Sequence, residues 1–156
     1  IDVAKHVLES GGIVAFPTDT VYGLAVAYDN EKAINQLRFV KKRPEDKPFA
    51  LMVSSIEMIK ALAYLNQRDI KLIQNFMPGD VTFVFRKKDS ITEGYFKAAK
   101  TIAFRMPNDD FVLNLITKLD KPLLVPSANV SNEKPCVING LVGTAKFVNA
   151  YNFVTF

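Results

Sequence analysis

Apolar residues in this chain come in two kinds of run: short unbroken stretches of strand length, and longer stretches spaced at three and four with turn residues between them. Val3, Val7 and Leu8 recur at helical spacing behind Asp2, a capping residue type, and Gly11 and Gly12 end that helix before the unbroken run 13–16. Residues 24–27 form a second strand. Asn30 caps a helix with Ala33, Ile34, Leu37 and Val40 on one face. The apolar run 49–53 predicts a strand, and Ser54 with Glu57 makes a capping-box pattern for a helix to about residue 62. A further helix is expected over 68–76, strands over 81–86 and 101–105, a helix over 109–119 and a short strand over 123–125. In the last twenty residues, Phe147, Val148, Tyr151 and Phe153 suggest a final strand. This interleaving predicts an α/β or mixed α+β fold, a sheet with helices packed on it, whose strand order the pattern does not give.

With 156 residues, 49% hydrophobic against 23% charged, one globular domain over 1–156 is expected and disorder is excluded as the main state. Cys136 is the only cysteine, which excludes a disulfide framework and suits a reducing compartment. There is no secretory-signal pattern and no apolar run of membrane-spanning length, so a cytoplasmic protein with no membrane partner is expected. The chain begins at Ile1 rather than Met, which suggests a processed or partly observed version of a longer polypeptide. Its net charge of +4 favours anionic partners mildly, and the cations cluster: Lys41, Lys42, Arg43 and Lys47 in one segment, Arg86, Lys87 and Lys88 in another.

Phosphate-binding Gly-rich loops, dinucleotide fingerprints, metalloprotease helices and nucleophile elbows are all missing from the sequence. One histidine, His6, excludes a His-rich metal site, and its place in the first amphipathic helix suits a surface or packing role. Four polar loops stand out instead, each following or joining apolar runs, so that they are expected to gather along one edge of a sheet. The first, residues 17–23, sets Thr18, Asp19, Thr20 and Tyr22 between a Pro and a Gly, which suits either a small polar ligand or a self-satisfied turn. In the second, Pro44 pushes Arg43 into extended backbone. Two-residue spacing then predicts Lys41 and Arg43 on one face, with Lys42 turned away. A Lys point charge beside an Arg fork suits a phosphate chain or a carboxylate, although a basic helix end complementing the dipole has the same composition. The third is Arg105, Met106 and Pro107. The fourth, 126–131, would aim the Ser127 hydroxyl and the Asn129 amide together if extended.

Taken in order, residues 12–24, Lys41-Lys42-Arg43-Pro44, Pro78-Gly79 with Thr82, Arg105-Met106-Pro107 and Ser127-Ala128-Asn129 resemble the YrdC-like family, the threonylcarbamoyl-AMP synthases. The likeness runs from about residue 1 to 135. It implies a twisted open sheet with a concave basic surface, and a reaction in which L-threonine, bicarbonate and ATP give threonylcarbamoyl-adenylate and pyrophosphate. The product would pass to a tRNA threonylcarbamoyl transferase complex. By this resemblance Lys41, Arg43, Ser127 and Asn129 surround the reacting phosphate and carbamate. Thr18 and Thr20 line the threonine pocket with Tyr22 against it, and Lys47 and Arg105 serve anionic groups. Mg²⁺ would arrive bound to ATP. No protein nucleophile is needed, so catalysis would rest on positioning and electrostatic stabilisation.

The sequence departs from the family at Asp80, where a second Pro is frequent, and at Asn132, where Gly is. A Gly-rich segment with Ser-Thr-Val, expected to help complete the nucleotide site, is not found in 137–156, so the C-terminal part is expected to be divergent or incomplete. Three other functions compete. Carbamoyl-adenylate chemistry of the hydrogenase-maturation kind belongs to large multidomain chains with zinc-finger-like cysteines. A non-catalytic module binding tRNA or double-stranded RNA would show steep salt dependence. An inactive homologue acting in assembly is the third.

Overall fold

The computed structural model describes residues 1–19, 21–44 and 47–132, and the backbone of 154–155. Its elements follow the order α1 (Asp2–Glu9), β1 (Val14–Phe16), β2 (Gly23–Ala27), α2 (Glu31–Lys41), β3 (Leu51–Met52), α3 (Ile56–Leu62), α4 (Gln67–Phe76), β4 (Thr82–Arg86), β5 (Thr101–Arg105), α5 (Asp110–Leu119), β6 (Leu123–Leu124) and β7 (Val154–Thr155). The strands form one mixed sheet in the order β4-β5-β3-β6-β2-β1-β7.

Side-chain alternation divides the core into two layers, which explains why the central strands are apolar without a break. Ile13, Ala15, Leu24, Val26, Leu51, Val53 and Leu124 pack with α2, α3 and α4 on one face. Val14, Phe16, Ala25, Met52 and Leu123 pack with α1 and α5 on the other. The helices on that second face cover residues of β1, β2, β3 and β6 only, among the described residues. On the same side of β4 and β5, the paired residues Thr82 and Arg105, Val84 and Ala103, and Arg86 and Thr101 are left open or partly open. Val84, 61% exposed, marks this uncovered half of the sheet.

Most predicted elements are present, and the helix starts differ in instructive ways. Asn30 accepts from the Ala33 N–H as expected. Asp2 is not a cap: α1 starts behind Ile1 with no side-chain cap, and the Asp2 carboxylate bonds Lys118 of α5 at 3.0 Å. Ser55 rather than Ser54 caps α3, because Ser55 has the extended backbone a cap needs, and Ser54 points its hydroxyl at the Met58 sulfur. The capping box lies instead at α4, where Asn66 and Asp69 exchange side-chain-to-backbone bonds at 2.9 Å each. At the C-terminus, β7 pairs parallel with β1, whereas Phe147, Val148, Tyr151 and Phe153 lie outside the described residues, as does Cys136.

Candidate functional site

Strand register decides which loops meet. β1 pairs antiparallel with β2, β2 with β6, and β6 with β3, so the 17–22 hairpin, the 126–131 loop and the segment entering β3 share one end of the sheet. β5 runs parallel to β3, which puts Arg105 beside Met52 at the opposite end, next to Thr82 of β4. The third loop thus starts from the far end of β5, yet it meets the 17–22 loop directly, so the four loops form one connected group rather than a single row along one edge. Asp19 makes that contact. Its carboxylate meets the Arg105 guanidinium at 2.6 Å, with both side chains about 15% exposed, and accepts the Asn108 N–H at 3.1 Å. Arg105 also donates to the Gly79 carbonyl at 3.4 Å, and the Gly79 N–H reaches the Met106 carbonyl at 2.8 Å, which accounts for the Pro78-Gly79 turn beside it.

Lys41 is the centre of the other end. It is the last residue of α2 and only 1% exposed. Its ammonium donates to the Asn129 carbonyl at 2.7 Å and to the Ser127 carbonyl, while its own carbonyl accepts the Ser131 N–H at 2.9 Å. Burial, followed by the charge of Arg43, pulls the Lys41 pKa down to about 8. Lys42 caps the helix with φ 49°, a left-handed conformation, and its side chain is exposed. The separation of Lys41 from Lys42 thus holds for a different reason from the one the spacing gave: a helix that ends on a left-handed residue, not an extended strand.

Arg43 turns back onto its own loop. Its guanidinium donates to the carbonyls of Lys47 at 3.0 Å and Pro48 at 2.9 Å and lies 4.8 Å from the centre of the Phe49 ring. Burial lowers its pKa, and the nearby Arg38 charge adds to that. The Lys47 side chain is exposed. Ser127 and Asn129 do not run extended: the Asn129 N–H reaches the Ser127 carbonyl at 2.9 Å, a three-residue turn that presents backbone carbonyls, rather than the two side chains, to Lys41. The Asn129 amide donates to the Val130 carbonyl at 2.8 Å.

The 17–22 hairpin is tied to the same loop. The Ala128 N–H donates to the Tyr22 carbonyl at 2.7 Å and the Leu24 N–H to the Pro126 carbonyl at 2.9 Å. Gly23 is required for this approach, since a Cβ there would lie 2.5 Å from a Val125 methyl carbon. The Thr18 hydroxyl closes the hairpin, donating to the Val21 carbonyl at 2.6 Å. Tyr22 packs against the α2-side core, half-buried. Thr20 lies outside the described residues.

Sequence reasoning missed a clamp beneath the Arg43 loop. The Tyr95 hydroxyl accepts the Phe49 N–H at 2.9 Å and the Arg38 guanidinium at 3.0 Å, and Arg38 also donates to the Pro44 carbonyl at 2.9 Å. The Tyr95 and Phe49 rings stack at 6.2 Å with Arg38 over both. Arg38 lies three residues before Lys41 on α2, the one signal available; nothing in the sequence points to Tyr95. Among the described residues, no three His, Cys, Asp or Glu side chains come together as a metal cage, and no helix is long and apolar enough to cross a membrane.

The chain as a whole is similar to several known proteins. The threonylcarbamoyl-AMP synthase of Pyrococcus abyssi is 33% identical over 134 residues, 85% of this chain and 39% of that protein. The threonylcarbamoyl-AMP synthase of Bacillus subtilis is 33% identical over 132 residues, 83% of this chain and 38% of that protein. The chain thus spans about two fifths of the length of these relatives. The crystal structure of P. abyssi Sua5 complexed with L-threonine superposes with a TM-score of 0.86 at 30% identity, over 98% of this chain and 45% of the other. Residues 6–150, which include every loop described above, match the Sua5/YciO/YrdC family, described as telomere recombination, and the chain belongs to that family.

Proposed function

We propose that this chain forms threonylcarbamoyl-adenylate and pyrophosphate from L-threonine, bicarbonate and ATP, as a nucleotidyltransferase. The observation that carries this reading is the buried Lys41 ammonium, docked on the 127–129 turn within electrostatic reach of Arg43. It is supported by similarity to relatives named threonylcarbamoyl-AMP synthase and to a structure with threonine bound.

The threonine amine, neutral when it reacts, captures bicarbonate with loss of water to give a carbamate. A carbamate oxygen then attacks the α-phosphorus, and pyrophosphate leaves with the electron pair of the broken P–O bond. Such a reaction needs two small substrates held in line and negative charge offset on phosphate oxygens. Lys41 does the first by fixing the 127–129 turn, on which Ser127 and Asn129 are carried to the substrates. With a pKa of about 8 it is charged at neutral pH and also serves the second need. Arg43, braced by Phe49 and its own loop carbonyls, adds the other cation. The 17–22 hairpin, with Thr18, Thr20 and Tyr22, forms the threonine side of the site, and Arg105 is held near it by Asp19. Lys47, exposed on the Arg43 loop, offers a further cation. Mg²⁺ enters as part of the ATP substrate, and the product goes to a tRNA-modifying transferase.

The reading is tested by titrating L-threonine, L-serine and L-valine into the protein with a non-hydrolysable ATP analogue present and following backbone amides by NMR. Shifts at Val21, Tyr22 and Ala128 that saturate with threonine and are weaker for the other two are expected. Equal response to all three amino acids, or none, overturns the threonine assignment.

A further inference from the structure

β4 and β5 are joined by residues 87–100, and this connection folds back on its own first residue. Lys87 is 9% exposed, and its ammonium donates to the carbonyls of Ile91 at 2.8 Å and Lys97 at 2.9 Å. Its backbone N–H reaches the Lys100 carbonyl at 3.0 Å. Beside it opens a cavity of about 790 Å³ lined by Arg86, Lys87, Lys97 and Lys100, by the hydroxyl residues Thr92 and Thr101, and by the carboxylate of Asp89. That acid is already engaged, by Arg86 at 3.2 Å and by the Tyr64 hydroxyl at 3.4 Å.

Carbonyls take up two of the three N–H groups of the Lys87 ammonium but do not neutralise its charge. The exposed cations Arg86, Lys97 and Lys100 on the same walls outnumber the Asp89 carboxylate and, with Lys87, leave a net positive potential that draws an anion. We propose that this cavity is a second anion site, distinct from the region around Lys41, that takes the phosphate groups of a phosphorylated ligand. Ammonium groups act as point charges that suit the several oxygens of a phosphate, while planar carboxylates favour an Arg fork, and Arg86 already holds Asp89. Ile91 and Ala99 give the cavity an apolar wall, and its size lies within the roughly 300–1,000 Å³ of small-ligand sites. Free oligophosphate and the phosphodiester backbone of RNA present the same chemistry.

The test is an NMR titration of the full chain with tripolyphosphate, and separately with a short RNA duplex at equal phosphate concentration. Wild type is compared with Lys100→Gln, whose side chain is exposed and outside the core, with Lys87→Met, and with Lys41→Met. Amides of Ile91, Thr92, Ala99 and Thr101 are expected to shift and saturate with tripolyphosphate. The saturation midpoint at these four amides should rise about tenfold in Lys100→Gln and stay where it is in Lys41→Met, whatever that variant does to phosphate binding around residue 41. The Lys100 variant keeps the test decisive if Lys87→Met fails to fold. Saturation by tripolyphosphate alone makes free oligophosphate the ligand source, and saturation at the same amides by RNA as well makes the phosphodiester backbone one. Absence of saturation with both, an equal response to sulfate and chloride at matched ionic strength, or indifference to Lys100→Gln overturns the proposal.

Discussion

Replacing Lys41 by Met keeps an unbranched, helix-compatible stem and removes only the ammonium. That ammonium bonds the carbonyls of Ser127 and Asn129, and a hydrogen bond with a charged partner contributes about 1.5–3 kcal/mol. The two bonds together are therefore worth about 3–6 kcal/mol before offsets. Against this, the variant no longer buries a charge, whose desolvation costs several kcal/mol, and water can approach the turn at the partly exposed Ser127 and Asn129. The net expectation is a loss of about 1–3 kcal/mol, each kcal/mol lowering Tm by about 2–4 °C in a domain of this size. Turnover should suffer more. Losing a preorganised charge at a site of developing negative charge costs about a hundredfold to a thousandfold in rate. Lys42→Met is the matched control: its side chain is exposed, so stability should change by less than about 0.5 kcal/mol and turnover should be unaffected. Urea melts give the first number, and mass-spectrometric quantification of threonylcarbamoyl-adenylate gives the second. If Lys41→Met matches wild type in both, or Lys42→Met is equally damaged, the ammonium does not organise the site.

Five further outcomes are expected. Because the Lys41 ammonium loses its proton as pH rises through about 8, turnover should fall over that range, and the fall should be missing from the residual activity of Lys41→Met. Its folded pKa lies below the ordinary 10.5, so the unfolded chain binds the proton more readily between about 8 and 10.5; wild-type stability relative to Lys41→Met should rise with pH across that window, as urea melts at several pH values will show. Asp19→Asn removes the charge from the partly exposed ion pair with Arg105 and should cost about 1 kcal/mol in denaturant melts. Tyr95→Phe removes the acceptor shared by Phe49 and Arg38 and should cost about 1–2 kcal/mol, with a drop in turnover as the Arg43 loop loosens. Lys42→Gly relieves a left-handed backbone and should raise stability by about 0.5–1 kcal/mol without touching activity, read from Tm and turnover together.

What was legible in the sequence was local. Central strands showed as unbroken apolar runs because the sheet is covered on both faces there, and Asn30 announced α2 because its cap bonds a residue only three positions away. The Asn66 and Asp69 capping box was equally local and was overlooked, while the Ser54 pattern was a near miss by one residue, since neighbouring serines differ only in backbone conformation. Lys41, Arg43, Ser127 and Asn129 were picked out together, yet their geometry was not: a left-handed Lys42 separates Lys41 from Lys42, and a turn at Asn129 replaces the extended backbone expected over 127–129. Asp19 with Arg105, and Tyr95 with Phe49, join residues 86 and 46 positions apart, and pairing at such distances follows from strand order, which periodicity does not carry. Strand order also moved Arg105 to the other end of the sheet, since parallel pairing of β5 with β3 is a property of the assembled sheet alone.

The central claim is tested most directly by incubating the purified chain with ATP, Mg²⁺, L-threonine and isotopically labelled bicarbonate, and following the products by mass spectrometry. The account predicts threonylcarbamoyl-adenylate that carries the label, one pyrophosphate for each adenylate, and no product when either threonine or bicarbonate is left out. Pyrophosphate release indifferent to threonine, adenylate without the label, or no adenylate from folded protein would contradict it.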